Sequence, residues 1–174
     1  MKWSVREKNI VLIGFMGVGK TTIGQLVANK ANRAFIDIDQ EIEKDLQMTI
    51  PEIFKQKGEA FFRKTEKDYI FKMCEQSTGK IISLGGGAFQ QEEIRKKCLE
   101  NCIVLFLDLS WEHWKKRIDL LIETRPILQH RSLADIKQLY NDRKTIYASH
   151  HFKVDTDYQS PEAVVDQIVE KLNL

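Results

Sequence analysis

The stretch Asn9-Ile10-Val11-Leu12-Ile13-Gly14-Phe15-Met16-Gly17-Val18-Gly19-Lys20-Thr21-Thr22 decides the architecture. Ile10–Ile13 is an unbroken apolar run with no polar alternation, the pattern of a strand buried on both faces. The glycines follow at once, and from Lys20 the spacing turns helical through Ala31. Gly14 to Thr21 therefore satisfies Gly-x4-Gly-Lys-Thr between a strand and a helix, which is the pattern of a phosphate-binding loop. Its chemistry follows from the residue types. Glycines let backbone N–H groups turn inward around phosphate oxygens where a Cβ would obstruct them, and the N-terminus of the next helix adds partial positive charge. Lys20 would reach the β- and γ-phosphates of ATP, and the Thr21 hydroxyl would ligate Mg²⁺. A glycine-rich turn with an incidental lysine is the ordinary alternative, and the strand and helix on either side weigh against it.

Outward from the loop, strands and helices alternate. Strands are expected at Asn9–Ile13, Ala34–Asp37, Lys80–Leu84, Cys102–Asp108 and Phe152–Asp155. Helices are expected at Lys20–Ala31, Gln40–Leu46, Ile50–Gln56, Glu59–Cys74 and Gln91–Glu100, then from Ser110 to about Asp119 and from Ser132 to about Ser149. Ser160 caps a closing helix with Pro161 in its first position. Thr49 and Glu52 read as a capping box, and Phe62, Tyr69 and Met73 as core positions. Strands without surface alternation, separated by helices, predict a parallel five-stranded sheet in a three-layer α/β/α domain. Its 174 residues are expected to form one domain, with a core from about residue 9 to 172.

A net charge of +2 gives no general basic field, so no nucleic acid is expected as a partner. The longest apolar run is Cys102–Leu107, far short of a membrane span, and Met1–Lys8 lacks the apolar segment of a secretory signal. Cys74, Cys98 and Cys102 are odd in number and lack paired spacing, which predicts buried free thiols and a cytoplasmic location. His113, His130, His150 and His151 show no metal-ligand spacing with them. His150-His151 is expected to end a helix, where positive charge is favourable, and Trp3, Trp111 and Trp114 are expected to pack.

Two further features carry chemistry. In Asp37-Ile38-Asp39 the carboxylates stand two apart, so on an extended chain they project to one side, at the carboxyl edge where open α/β sheets bind ligands. One can serve the magnesium shell and the other accept a substrate proton; alternatively, Asp39 only caps the next helix. Gly85-Gly86-Gly87 directly follows a strand, which suits close approach of backbone to a ligand, or a simple flexible turn. Ile103–Asp108 imitates the acid-ended strand of hydrolytic nucleotide switches.

Taken in order, Gly14–Thr22, Asp37-Ile38-Asp39, Gly58-Glu59-Ala60-Phe61-Phe62-Arg63, Ser83–Gly87, Arg125-Pro126 and Arg143 resemble the shikimate kinase family over nearly the whole chain. The resemblance implies a P-loop kinase fold with a lid at about 120–131. It further implies ATP-dependent phosphorylation of the 3-hydroxyl of shikimate in chorismate and aromatic amino-acid biosynthesis, with ATP and Mg²⁺. By similarity, Gly17, Val18, Gly19, Lys20, Thr21 and Thr22 cover the nucleotide phosphates. Arg63 and Arg143 hold the substrate carboxylate, which suits their planar, bidentate donors, and Gly85, Gly86 and Gly87 form its wall. Asp39 accepts the reacting proton, Asp37 stands near the metal with Thr21, and Arg125 swings over ATP from the lid. Arg117 and Gln159 lie against the adenine. Lys20, Asp39 and Arg125 are thus the expected catalytic set. Surface ion pairs of Arg63 with Glu66 or Glu59, and of Arg143 with Asp142, are the structural alternatives. The lid approach Asp119–Glu123 is more apolar than usual in the family.

Three functions remain in view: a shikimate kinase, another small-molecule kinase acting on a nucleoside monophosphate or a sugar acid, and an ATP-binding module without transfer. A monomer is expected.

Overall fold

The computed structural model describes Ser4, Val5 and residues 7–174; Trp3 lies outside the described residues. Five strands, β1 (Ile10–Ile13), β2 (Phe35–Asp37), β3 (Ile81–Ser83), β4 (Ile103–Asp108) and β5 (Phe152–Asp155), form one parallel sheet in the order β2-β3-β1-β4-β5. The central strand is the apolar run of the opening motif. Each of its four residues is at most 1% exposed, because neighbours flank it on both edges and helices cover both faces.

Helix α1 (Lys20–Ala31) returns the chain from β1 to the outer strand β2. Next come α2 (Ile38–Leu46), α3 (Ile50–Lys57) and α4 (Glu59–Gln76), then α5 (Glu92–Asn101) between β3 and β4. The β1-to-β2 crossover runs one way along the sheet and those to β3 and β4 run the other. Right-handed connections therefore place α1 on one face and α4 with α5 on the opposite face. The closing helix α9 (Pro161–Leu172) packs beside α1. Local chemistry sets the ends as expected. Thr49 and Glu52 make the reciprocal capping box, Ser160 caps α9, and Ser132 caps α8 (Leu133–Tyr147) with Asp135 completing a second box.

Two expectations need correction. The helix expected from Ser110 to Asp119 is broken into α6 (Trp111–Lys115) and α7 (Ile118–Ile122). No Gly or Pro interrupts it; tertiary anchors do. The buried Trp114 donates its indole N–H to the Met16 carbonyl (2.7 Å), and Arg117 Nη1 donates to the Gly17 carbonyl (2.9 Å), so the chain bends to serve the phosphate loop. At the other end of α8, His151 Nδ1 accepts the Val104 N–H at 2.9 Å, and burial holds its pKa below the usual histidine value. His151 therefore serves β4 instead of the helix end, whereas His150 Nδ1 lies 2.7 Å from the carbonyl of Tyr147, the last residue of α8. Among the described residues no helix is long and apolar enough to cross a membrane.

Candidate active site

The site lies where β1, β2 and β3 end. Gly17 and Gly19 adopt φ of 76° and 102°, a region closed to most side chains, and this turns the loop's N–H groups toward the cleft. No side chain caps the start of α1, so its first N–H groups remain available to an anion. Lys20 is buried, with Nζ on the Gly14 and Phe15 carbonyls at 2.6 and 3.2 Å. Burial, reinforced by the Arg125 guanidinium, lowers its pKa to about 8 against the opposing pull of Asp39 and Asp37.

The two carboxylates arrive differently from the expectation. Only Asp37 is on the strand. It caps α2, accepting the Gln40 N–H at 3.2 Å, while its other oxygen accepts the Thr21 hydroxyl at 3.0 Å. The helix begins at Ile38, so Asp39 belongs to its first turn and is not the cap. A turn of helix, not alternation along a strand, brings both acids to the cleft. Asp39 is half-buried, and its Oδ1, shielded from solvent, has no hydrogen-bond partner. Burial first, then the Asp37 charge, raises its pKa to about 6. Thr21 and Asp37 together offer hard oxygen donors, a set that fits Mg²⁺.

Each glycine after β3 admits a different neighbour. A Cβ on Gly85 would stand 3.0 Å from both Asp39 carboxylate oxygens, and one on Gly87 would stand 2.8 Å from Arg63 Nη2. The Gly86 carbonyl accepts from Arg143 Nη1 and from the Tyr147 hydroxyl, the latter at 2.7 Å. Arg143 is itself buried, so neither Asp142 nor solvent holds it. Arg63 does pair with Glu66 (2.8 Å) and more loosely with Glu59 (3.6 Å). Glu66, however, is 1% exposed and also accepts from Gln91 at 3.0 Å, so the pair joins an interior carboxylate to a half-buried guanidinium beside Gly87. Burial raises the Glu66 pKa to about 7 against the Arg63 charge.

A cleft of about 200 Å³ lies among these parts, lined by Gly17, Gly19, Lys20, Thr21, Thr22, Asp37, Asp39, Gly85, Gly86 and Arg125, whereas Arg63, Gly87 and Arg143 do not line it. Arg125 therefore stands within reach of the loop from the expected lid. There Leu121 packs over Gly17, as a Cβ on that glycine would come within 2.6 Å of Leu121 Cδ1. Arg117 reaches the loop through the Gly17 carbonyl. Gln159 is not brought to the cleft: its amide bonds the Asp155 carbonyl and Gln167, both at 2.6 Å. Asp108, the acid that imitates a nucleotide-switch strand, is taken up by Lys144 and Lys153 at 3.3 and 3.0 Å.

One supporting residue, Tyr147, escaped the sequence reading. Tyr147 lies four residues after Arg143, one helical turn on the same face, and that spacing was the available signal. Trp114 was expected to pack and Glu66 to pair with Arg63 on the surface; the fold adds that the indole meets the loop and that the carboxylate is interior.

Fold and cleft together define a phosphate-loop α/β protein whose cavity joins an anion cradle to two carboxylates and the Arg125 guanidinium, with Arg143 and Arg63 held against Gly86 and Gly87 beside it. A family model described as shikimate kinase matches residues 16–173. Relatives named shikimate kinase include one from Bacillus licheniformis, 70% identical and covering 100% of this chain and 98% of its own, and one from Bacillus subtilis, 67% identical over 98% and 91%. Among solved structures, the Aquifex aeolicus shikimate kinase superposes with a TM-score of 0.82 at 34% identity, covering 95% and 96% of the two chains. The Acinetobacter baumannii enzyme in complex with shikimate gives 0.82 at 27% identity, covering 95% and 93%. The chain belongs to the shikimate kinase family.

Proposed function

We propose that the chain transfers the γ-phosphoryl group of ATP to the 3-hydroxyl of shikimate in a Mg²⁺-dependent reaction, serving chorismate and aromatic amino-acid biosynthesis in the cytoplasm. The observation that carries this reading is the glycine wall. One carboxylate and two arginines meet three successive glycines, across a cleft from a buried lysine.

Gly17, Val18, Gly19 and the first turn of α1 with Thr22 hold the ATP phosphates through backbone N–H groups, and Lys20 leaves its carbonyl acceptors to neutralise the β- and γ-oxygens. Thr21 and Asp37 would hold Mg²⁺, which supplies further charge neutralisation there. Arg63 and Arg143 grip the shikimate carboxylate, with Glu66 and Tyr147 fixing the wall behind them. That grip turns the acceptor hydroxyl toward Asp39. The unpartnered Oδ1 of Asp39 is free to accept the hydroxyl proton, and a pKa of about 6 lets it do so near neutrality. Arg125 closes over the transferring group as negative charge spreads on its oxygens, and residues 120–131 exclude water. We place adenine on the side of Arg117 and the Gln159 loop, which the Ser110 N–H bond to Asp157 (2.9 Å) ties to the start of α6. The chain acts as one domain and as a monomer.

The test is ADP release with purified protein against shikimate, nucleoside monophosphates and sugar acids, with and without Mg²⁺. ADP formation with shikimate alone, lost on chelation, is expected. A folded, ATP-binding protein that releases ADP with another acceptor and none with shikimate overturns the assignment.

A further inference from the structure

The three cysteines, scattered at positions 74, 98 and 102, converge in the fold. Cys74 lies in the last turns of α4, Cys98 in α5, and Cys102 directly before β4. All three are buried and unbridged. The Cys102 thiol donates to Cys74 Sγ across 3.6 Å. A disulfide needs about 2.05 Å, so roughly 1.5 Å of approach separates the pair from a covalent bond. The surroundings already hold the two segments together. The Asn9 amide donates to the Met73 and Ser77 carbonyls at 3.1 and 2.9 Å, and its oxygen accepts the Lys80 N–H at 2.9 Å, pinning the end of α4 to β1 and β3. Among the described residues no group of His, Cys, Asp or Glu is placed to hold a metal ion, so metal binding is not what the cluster offers.

We propose that Cys74 and Cys102 are an oxidisable dithiol which closes to an intramolecular disulfide in the native protein when a peroxide reaches it. Cys74 is the point of entry, at 8% exposure against 1% for Cys102 and 0% for Cys98. Thiol hydrogen bonds from Cys102 and Cys98 favour its thiolate, with Lys97 adding positive charge nearby. The Cys74 thiolate attacks one peroxide oxygen, the O–O bond breaks, and the departing oxygen leaves as water after protonation. The Cys102 sulfur then attacks the resulting sulfenic acid, the S–O bond breaks, and a second water leaves with the Cys102 proton. Two thiols have lost two electrons and two protons to one peroxide. Cys102 precedes Ile103, which pairs with Ile10 at the amino edge of the sheet, while the cleft lies at the carboxyl edge. The bond therefore staples the fold without touching the site. It spans 28 residues that include β3, the glycine wall and α5.

The test uses the full chain, freed of reductant and exposed to hydrogen peroxide at neutral pH. Thiols titrated after denaturation should fall from three to one per chain, with a mass loss of about 2 Da and a Cys74–Cys102 linked peptide in a non-reduced digest. Closure of so long a loop should raise Tm by about 5–10 °C. ADP formation should stay within about twofold of the reduced protein, and a dithiol reductant should restore all three thiols. Cys98→Ala should close to the same extent, though more slowly, as Cys74 loses one thiol hydrogen bond. Thiols that react only on unfolding, a linked peptide containing Cys98, links between chains, or Cys74 passing to sulfinic acid without a link would each overturn the proposal. So would loss of turnover on closure, since the bond would then not fit the native fold.

Discussion

Gly87→Ala separates grip on the acceptor from chemistry. The backbone at Gly87, φ −100° and ψ −13°, suits alanine, so no conformational strain arises. The added methyl, however, would stand 2.8, 3.0 and 3.2 Å from Arg63 Nη2, Nη1 and Cζ. Relaxing the closest of these to an ordinary contact of about 3.4 Å or more displaces the guanidinium by at least about 0.6 Å. The atoms that must give are the far end of a flexible side chain, so the fold should tolerate the change with a Tm drop of no more than about 3 °C. Binding should not tolerate it. A charge-assisted hydrogen bond contributes about 1.5–3 kcal/mol, which corresponds to a rise in KM for shikimate of roughly 10- to 100-fold. kcat should change by less than about threefold, because no reacting atom moves. The assay is coupled ADP release over a shikimate series at saturating ATP, with thermal melting alongside. Gly85→Ala is the contrast: its methyl presses the Asp39 carboxylate at 3.0 Å, so kcat should fall more than KM rises. A folded Gly87→Ala protein with unchanged KM refutes the placement of the substrate carboxylate at Arg63.

Lys20→Met should lower kcat by at least about 10³-fold, as single-turnover kinetics would show, because the transferring phosphoryl group loses its buried cation. The profile of kcat/KM against pH should fall below about 6 as Asp39 takes up a proton, and above about 8 as Lys20 loses one. Stability shifts in a definite sense. Asp39 and Glu66 have raised folded pKa values, so their contribution is present below the unfolded values of 3.8 and 4.5 and is lost as pH rises through about 6 and 7. Lys20, lowered from 10.5 to about 8, adds stability as pH rises across that interval; denaturant titrations at fixed pH values read all three. Trp114→Phe leaves the Met16 carbonyl without its indole donor. This should cost about 1–3 kcal/mol and raise KM for ATP several-fold with KM for shikimate unchanged, as steady-state kinetics would show.

Much of this was legible in the chain. Ile10–Ile13 and the loop after it announce a buried parallel strand feeding a phosphate site, because burial on both faces leaves no polar alternation to misread. Capping chemistry at Thr49, Ser132 and Ser160 is local and so can be read locally. What escaped depends on contacts between distant segments. The break between α6 and α7 has no Gly or Pro behind it, only Trp114 and Arg117 reaching the loop 98 and 100 residues earlier. Asp37 and Asp39 both reach the cleft, but by another route than expected, since a helix that begins at Ile38 instead of Gln40 replaces alternation by a helical turn. The thiols show no spacing signal because α4, α5 and the start of β4 come together only once the layers pack.

The sheet order puts the ends of β2, β3 and β1 side by side, and each delivers a different ingredient: an acid, a wall for the acceptor and a cradle for the donor. Strand spacing in a sheet is fixed at about 4.8 Å by hydrogen-bond length. Backbone geometry thus acts as a ruler, setting how far apart the two reactants hang before any side chain contributes. Change in the loops and lid alters what is held and how tightly, but the gap the phosphoryl group must cross is inherited from the ladder itself.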